Sequence, residues 1–260
     1  MAENALSPEV IKRGLKTRFI GQNIVYHASL ASTMDAARQA ALEGVPEGTV
    51  ILAEQQTAGR GRLARAWLSD EGCLTFSIVL YPDTRYLTYL VMVSCLAVAD
   101  TVEWAASLKP EIKWPNDVLV RGRKISGILI ETAIQERQPS HAVIGIGLNV
   151  NFEPSECPDI GETATSLSAE TGRQFSRVAV LRELFARFEG WYDDLLSGES
   201  VFEAWRGRLV TLGKMVRVRT GKARYEGTAE DVAPDGALLL RQSDGGLLKM
   251  PAGDVILKSD

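Results

Sequence analysis

Residues able to grip and neutralise an anion are concentrated in one stretch, Gln55-Gln56-Thr57-Ala58-Gly59-Arg60-Gly61-Arg62-Leu63-Ala64-Arg65-Ala66-Trp67. Three arginines and two glycines fall within seven residues with no acid among them, in a chain whose formal charge is −4. Glycines let the backbone N–H groups close around an anion. Arginine forks match the paired oxygens of a phosphate or carboxylate. The alternative is a solvated basic turn. Gly59-x-Gly61-x-x-Ala64 follows a strand as a dinucleotide fingerprint would, but Ala66–Gly72 reads as a loop that offers no helix N-terminus to a pyrophosphate, which argues against that reading. Neither a Walker A loop nor a Gly-x-Ser-x-Gly elbow occurs.

Two further segments carry chemistry. Lys113-Trp114-Pro115-Asn116-Asp117 ends one strand-like run, and Lys124 opens the next, the otherwise apolar Lys124–Thr132. A cation in that place either reaches out to solvent or faces a bound anion. Asp117 is a turn residue, or a carboxylate that meets an amine or a metal. Gly145-Ile146-Gly147-Leu148-Asn149-Val150-Asn151 sets two glycines inside a strand, the mark of a close approach or of a bulge.

The elements that must position these groups follow from periodicity and punctuation. Strands are expected at Asn23–Tyr26, Thr49–Ala53, Leu74–Leu80, Ile112–Trp114, Val118–Val120, Lys124–Thr132 and His141–Asn151, with a hairpin turn at Arg121-Gly122-Arg123. Ser32-Thr33 opens a helix over Met34–Leu42, with either hydroxyl as its cap and Gly44 just past its end. A mostly buried helix is expected over Tyr86–Leu108 and an amphipathic one over Val178–Leu196. Phe152–Gly172 reads as a long loop, and residues 1–22, with four cations in Ile11–Arg18, as a solvated arm. After Trp205, close-set turn signals mark a small antiparallel barrel.

Composition bounds the rest. With 260 residues, 45% hydrophobic and 24% charged, the chain is an ordinary globular one of one or two domains. Its acidic balance and the missing helix-turn-helix argue against nucleic-acid binding. Cys73, Cys95 and Cys157 form no Cys-x-x-Cys pair, and His27 and His141 lie far apart, so no structural zinc site is expected. The N-terminus is not a signal peptide, and the longest uncharged apolar stretch, Tyr89–Ala99, is shorter than the ~20 residues a membrane span needs. A cytoplasmic protein with no membrane and no DNA partner is expected.

Taken together, the chain resembles the biotin protein ligases. The resemblance rests on Ser32-Thr33, Gly59-Arg60-Gly61-Arg62, Lys113-Trp114-Pro115-Asn116-Asp117, Lys124 with Gly127-Ile128-Leu129-Ile130-Glu131, and Gly145-Ile146-Gly147-Leu148-Asn149. These occur in the family's order from about residue 20 to the C-terminus; the combination is specific, though no single motif is. Two positions depart: Met34 stands where Asn usually follows Ser-Thr, and Ala64 where the loop usually has Gly.

The resemblance implies an α+β fold of the class II aminoacyl-tRNA synthetase/biotin synthetase-like type. That is a mixed sheet with flanking helices over residues 1–208, followed by an SH3-like β-barrel over 209–260. It implies biotin, ATP and Mg2+ as ligands, a biotinyl-5′-AMP intermediate, and a lysine of a biotin carboxyl carrier protein or domain as acceptor. It resembles the ligase-only kind, without the DNA-binding domain of larger members. A homodimer is possible, with His141–Asn151 as a strand to pair across a two-fold. By resemblance, Ser32, Thr33 and Gln56 meet the biotin head, with Met34 beside it. Gly59, Arg60, Gly61, Arg62 and Arg65 hold the tail and phosphate, and Trp67 packs beside that loop. Lys124, between Asp117 and Gly127, meets the carboxylate and then the bridging phosphate oxygen. Gly147 and Asn149 face the nucleotide, which the Phe152–Ser166 loop covers. Asp117 orients the acceptor amine or, alternatively, a metal, and Lys124, Arg60, Arg62 and Asp117 form the catalytic set. A lipoate-type ligase, or a non-catalytic biotin sensor, is the alternative.

Overall fold

A computed structural model of the chain describes residues 6–62, 65–69, 71–135, 138–154, 157 and 160–257. Its larger sheet contains β1 (Ile24–Leu30), β2 (Val50–Gln56), β3 (Cys73–Leu80), β4 (Pro110–Lys113), β5 (Asp117–Val120), β6 (Arg123–Gln135) and β7 (Gln138–Asn149). They run in the order β1-β2-β3-β7-β6-β5-β4. Only β1 and β2 are parallel, so the sheet is mixed. β5 and β6 meet at a two-residue turn in which Arg121 and Gly122 both take positive φ, 51° and 77°. That geometry matches the twist of a tight hairpin.

β7 is paired on both sides, to β3 and β6. The expectation that His141–Asn151 is an exposed strand ready to pair across a two-fold is therefore incorrect; the edges belong to β1 and β4. Its continuous apolar run is what a strand buried on both faces requires.

α2 (Thr33–Leu42) packs on one face over β2, β3 and β7, burying Met34, Ala37 and Ala41 against Ile51, Val79 and Val143. The other face carries α3 (Leu90–Ala106), α5 (Arg177–Ser197) and α6 (Val201–Arg206). The expected Tyr86–Leu108 helix divides into a 3-10 turn, Thr84–Tyr89, and α3. Thr84–Ala106 as a whole is long and apolar enough to cross a membrane, unlike the shorter stretch read from sequence. Here its apolar residues are spent on the core, with twelve α3 residues buried.

Residues 1–22 are not a solvated arm where they are described. α1 (Pro8–Lys12) buries Ile11, while Leu6 and Ile20 join the main core. The buried Glu189 carboxylate of α5 accepts the backbone N–H groups of Arg18, Phe19 and Ile20, at 2.7, 3.0 and 3.1 Å. Arg18 pairs with Asp193 at 2.5 Å, and the Arg182 guanidinium binds the carbonyls of Val10 and Ile11. The interval expected as one loop, Phe152–Gly172, contains α4 (Leu167–Thr171), capped by the Ser166 hydroxyl.

A second, five-stranded sheet holds β8 (Met215–Thr220), β9 (Ala223–Val232), β10 (Leu238–Arg241), β11 (Leu247–Met250) and β12 (Asp254–Leu257), in the order β11-β10-β9-β8-β12. It is tied to the larger sheet beside β4. Ile112 exchanges hydrogen bonds with Arg208 and Val210, and Trp114 bonds Thr211 through its backbone and Gly236 through its indole. Val216, Val218, Leu238 and Val255 share one continuous core with Trp114 and α3.

Candidate active site

The three central strands β3, β7 and β6 form the floor of a cavity of about 110 Å³. Its floor is shaped by missing side chains. A Cβ at Gly145 would stand 2.6 Å from the Met34 sulfur, and one at Gly147 would stand 2.2 Å from the Trp67 indole. A Cβ at Gly127 would stand 2.9 Å from the end of Lys124 and 3.1 Å from Trp67. The β6–β7 register is unbroken from Ser126 to Ala133, so these glycines mark no bulge. They make room for Met34, Trp67 and Lys124.

A small polar network closes one end of the cavity. Gln56 Oε1 accepts from the Thr33 backbone N–H at 2.7 Å and lies 3.1 Å from its hydroxyl, and the Ser77 hydroxyl donates to Thr33 Oγ1 at 2.8 Å. The expected hydroxyl cap of α2 is not made. Ser32 Oγ is buried without a hydrogen-bond partner, and so is Trp67 Nε1. Buried polar atoms left unpaired cost stability and call for an explanation. Trp67 lines the cavity and Ser32 adjoins Thr33, which lines it, so these atoms fit a hydrogen-bonding ligand there. Thr75 and Ser77 were not singled out from sequence; the signal was two hydroxyls at a spacing of two in an otherwise apolar strand, which puts both on one face.

The loop after β2 crosses the cavity mouth, and each of its arginines is fastened to a different element. Arg60 pairs with Asp35 of α2 at 2.7 Å and with Glu131 of β6 at 3.6 Å. Arg62 donates to the Asn116 side-chain oxygen at 2.9 Å, in the turn between β4 and β5. Arg65 pairs with Asp254 of β12 in the smaller sheet. Arg62 is the one held by a neutral partner. Burial pulls its guanidinium below the ordinary arginine range, against the opposing pull of Asp117 and Asp254. Ala64, one of the two departures, lies outside the described residues.

Lys124 is half-buried and does not stand alone. Its ammonium is 2.6 Å from the Asp117 carboxylate and 5.6 Å from the centre of the Trp67 ring. Beyond these two residues opens a second cavity of about 490 Å³, walled by Asn149, Phe152, Thr163 and Leu257. Arg65, Trp67, Asp117 and Lys124 line both cavities. Asn149 borders the second, where its amide donates to the Thr165 carbonyl at 2.9 Å and accepts from the Cys73 thiol. Lys124 and the chain at Thr163–Thr165 exchange backbone hydrogen bonds of 2.8 Å, which fix that wall against β6.

The structure thus brings Thr33, Met34, Gln56, Arg60, Gly61, Arg62, Arg65, Trp67, Asp117, Lys124, Gly127 and Gly147 around the first cavity. Gly59 lies under the loop, where a Cβ would stand 2.4 Å from the Trp67 carbonyl. Among the described residues no group of three or more His, Cys, Asp or Glu side chains gathers to hold a metal.

The biotin/lipoate A/B protein ligase family model matches residues 26–149, and the biotin protein ligase C-terminal domain model matches 211–258. The bifunctional ligase/repressor BirA of Bacillus subtilis is 36% identical over 97% of this chain and 79% of its own length. The chain belongs to the biotin protein ligase family. Within that family, the biotin--[acetyl-CoA-carboxylase] ligase of Mycobacterium tuberculosis is 34% identical over 96% of this chain and 97% of its own. The solved biotin protein ligase of Aquifex aeolicus, in complex with biotin and ATP, aligns with a TM-score of 0.78 at 28% identity, covering 92% of this chain and all of that one.

Proposed function

We propose that the protein joins biotin to ATP as biotinyl-5′-AMP and then transfers the biotinyl group to a lysine of a biotin carboxyl carrier domain. The observation that carries this is the pair of adjoining cavities with Lys124, Arg65 and Trp67 at their junction. One holds the polar network suited to a ureido ring, and the other has the volume for a nucleotide, within the ~300–1,000 Å³ usual for ligand pockets. Biotin/ATP complexes of the Aquifex aeolicus relative support the same ligands here.

The first step joins two anions, so it needs fixed positive charge where they meet. A biotin carboxylate oxygen attacks the α-phosphorus, and pyrophosphate leaves. Arg62 and Lys124 supply the charge; each well-placed donor is worth ~3–4 kcal/mol of barrier. Mg2+ would neutralise the phosphates of ATP, and Asp117 would help to hold it only as the alternative to its role toward the acceptor lysine. In the second step the acceptor amine attacks the biotinyl carbonyl and AMP leaves. Once Lys124 turns to the phosphate, the Asp117 carboxylate is released to receive and orient the incoming lysine. The first cavity is smaller than the usual pocket range because Trp67 lies over Gly127 and Gly147; biotin entry therefore moves Trp67 and the loop that carries it.

In this proposal residues 1–208 are the catalytic domain, related to class II aminoacyl-tRNA synthetases, and 209–260 an SH3-like barrel. The protein works in the cytoplasm, without DNA or membrane, and any homodimer forms without pairing through β7. The deciding assay mixes the protein with magnesium, α-labelled ATP and either biotin or lipoate. Labelled adenylate with biotin alone is expected. Adenylate with lipoate instead, or biotin binding without adenylate, would replace this function with a lipoate ligase or a sensor.

A further inference from the structure

The smaller sheet enters the site through one strand. Gly253, Asp254 and Val255 line the first cavity, and Ile256 and Leu257 the second. β12 is firmly seated. It pairs with β8 from Asp254 to Leu257, Val255 is buried, and a Cβ at Gly253 would stand 2.5 Å from the Val218 side chain. Indole and backbone bonds from Trp114 tie this sheet to the turn that carries Asn116 and Asp117. The Asp254 side chain is 17% exposed and its partner Arg65 is 55% exposed, so the aspartate is the more buried member of the pair and the arginine the more exposed one. Arg219 stands behind Asp254 at 3.8 Å.

We propose that Asp254 is a positioning residue of the ligase: it holds Arg65 at the junction of the two cavities and so makes the smaller sheet a working part of the site. Of the three arginine fastenings, it is the one made to the C-terminal sheet. Arg60 and Arg62 are held by α2, β6 and the β4–β5 turn, all parts of the larger sheet or its cover. Without Asp254, no carboxylate among the described residues pairs with Arg65 beside the Trp67–Lys124 junction, and Arg65 loses its tether. The prediction for the free protein needs only this geometry; the prediction for turnover also rests on the ligase function proposed above.

The test compares wild type, Asp254→Asn, Asp254→Glu, Arg65→Met and the Asp254→Asn/Arg65→Met double variant. In ligand-free protein, trypsin nicking within the arginine loop should quicken about fivefold in Asp254→Asn, the size set by a partly exposed ion pair, while the melting temperature falls by no more than about 2–4 °C. In adenylate formation, Asp254→Asn should raise the KM for ATP about fivefold with little change in kcat. Asp254→Glu should recover part of the loss, and the double variant should be no worse than Arg65→Met. A KM for ATP that falls in Asp254→Asn would mean that Asp254 obstructs the nucleotide, and would overturn the proposal. Wild-type nicking and KM, or additive effects in the double variant, would overturn it too. Faster nicking in a protein that makes no adenylate at all would sink the ligase function and leave the tether standing.

Discussion

Replacing Gly147 by alanine tests whether the cavity floor is built around Trp67. The added methyl would stand 2.2 Å from Cε2 and Cζ2 of the indole and 2.6 Å from its Nε1. Ordinary contact begins near 3.4 Å, so the ring has to retreat by about 1.2 Å or more. The strand cannot yield instead, because Gly147 is paired with Thr75 on one side and Gly127 on the other. Overpacking of this kind costs ~1–3 kcal/mol. Trp67 sits on a loop and is partly exposed, so the low end applies, and the melting temperature should fall by about 2–4 °C. Adenylate formation should suffer far more, since a misplacement of ~1 Å at a reacting centre can cost ~10²-fold. The control is Gly190→Ala on the exposed side of α5, where a Cβ meets nothing within 4 Å. It should stabilise by about 0.5–1 kcal/mol and leave the rate alone. A Gly147→Ala protein with wild-type rate and wild-type melting temperature would refute the account of the floor.

Removing the Lys124 ammonium with Lys124→Ala should lower adenylate formation by about 10²–10³-fold, the usual loss for one preorganised charge donor, without unfolding the chain; full activity would take Lys124 out of the mechanism. Burial works to raise the Glu189 carboxyl, but the N–H groups of Arg18, Phe19 and Ile20 together with the Arg18 guanidinium outweigh it and hold it below its ordinary range. Its stabilisation is therefore complete above the ordinary glutamate value of ~4.3 and is lost as pH falls through the lower folded value. Melting curves should show Glu189→Gln well below wild type at pH 7, with the gap closing under acid; a gap independent of pH would contradict this. Cys73 and Cys95 are buried and Cys157 is partly exposed, so a thiol reagent should modify one cysteine in the native protein and three in denaturant.

Local signals made most elements legible. The Arg121-Gly122 turn, the apolar stripe of α5 and the alternation of β8 could each be read within a few residues. Signals that depend on distant partners could not. Leu6, Ile11 and Ile20 are too sparse to announce a packed segment, and the carboxylate that satisfies its backbone lies about 170 positions away, at Glu189. α4 hid inside a polar interval, although Ser166 is a favoured cap residue and Glu170 an acid in the first turn. β7 carried its own correction, since an apolar run without alternation belongs at the centre of a sheet.

The arginine loop shows most clearly what spacing conveys and what it withholds. Three cations without an acid among them indicate anion chemistry, yet they do not say which of the three is available for it. Their partners stand 25, 54 and 189 positions away, at Asp35, Asn116 and Asp254. Two are carboxylates, which cancel the charge they hold, so Arg60 and Arg65 act first as fastenings. The third is an amide, which orients Arg62 while leaving its full positive charge. Desolvation makes that charge costly in the empty site, and an arriving phosphate or carboxylate relieves the cost. The strongest pull on an anionic substrate is therefore expected at Arg62, a half-buried cation whose hydrogen-bond partner is an amide and which Asp117 and Asp254 reach only through space.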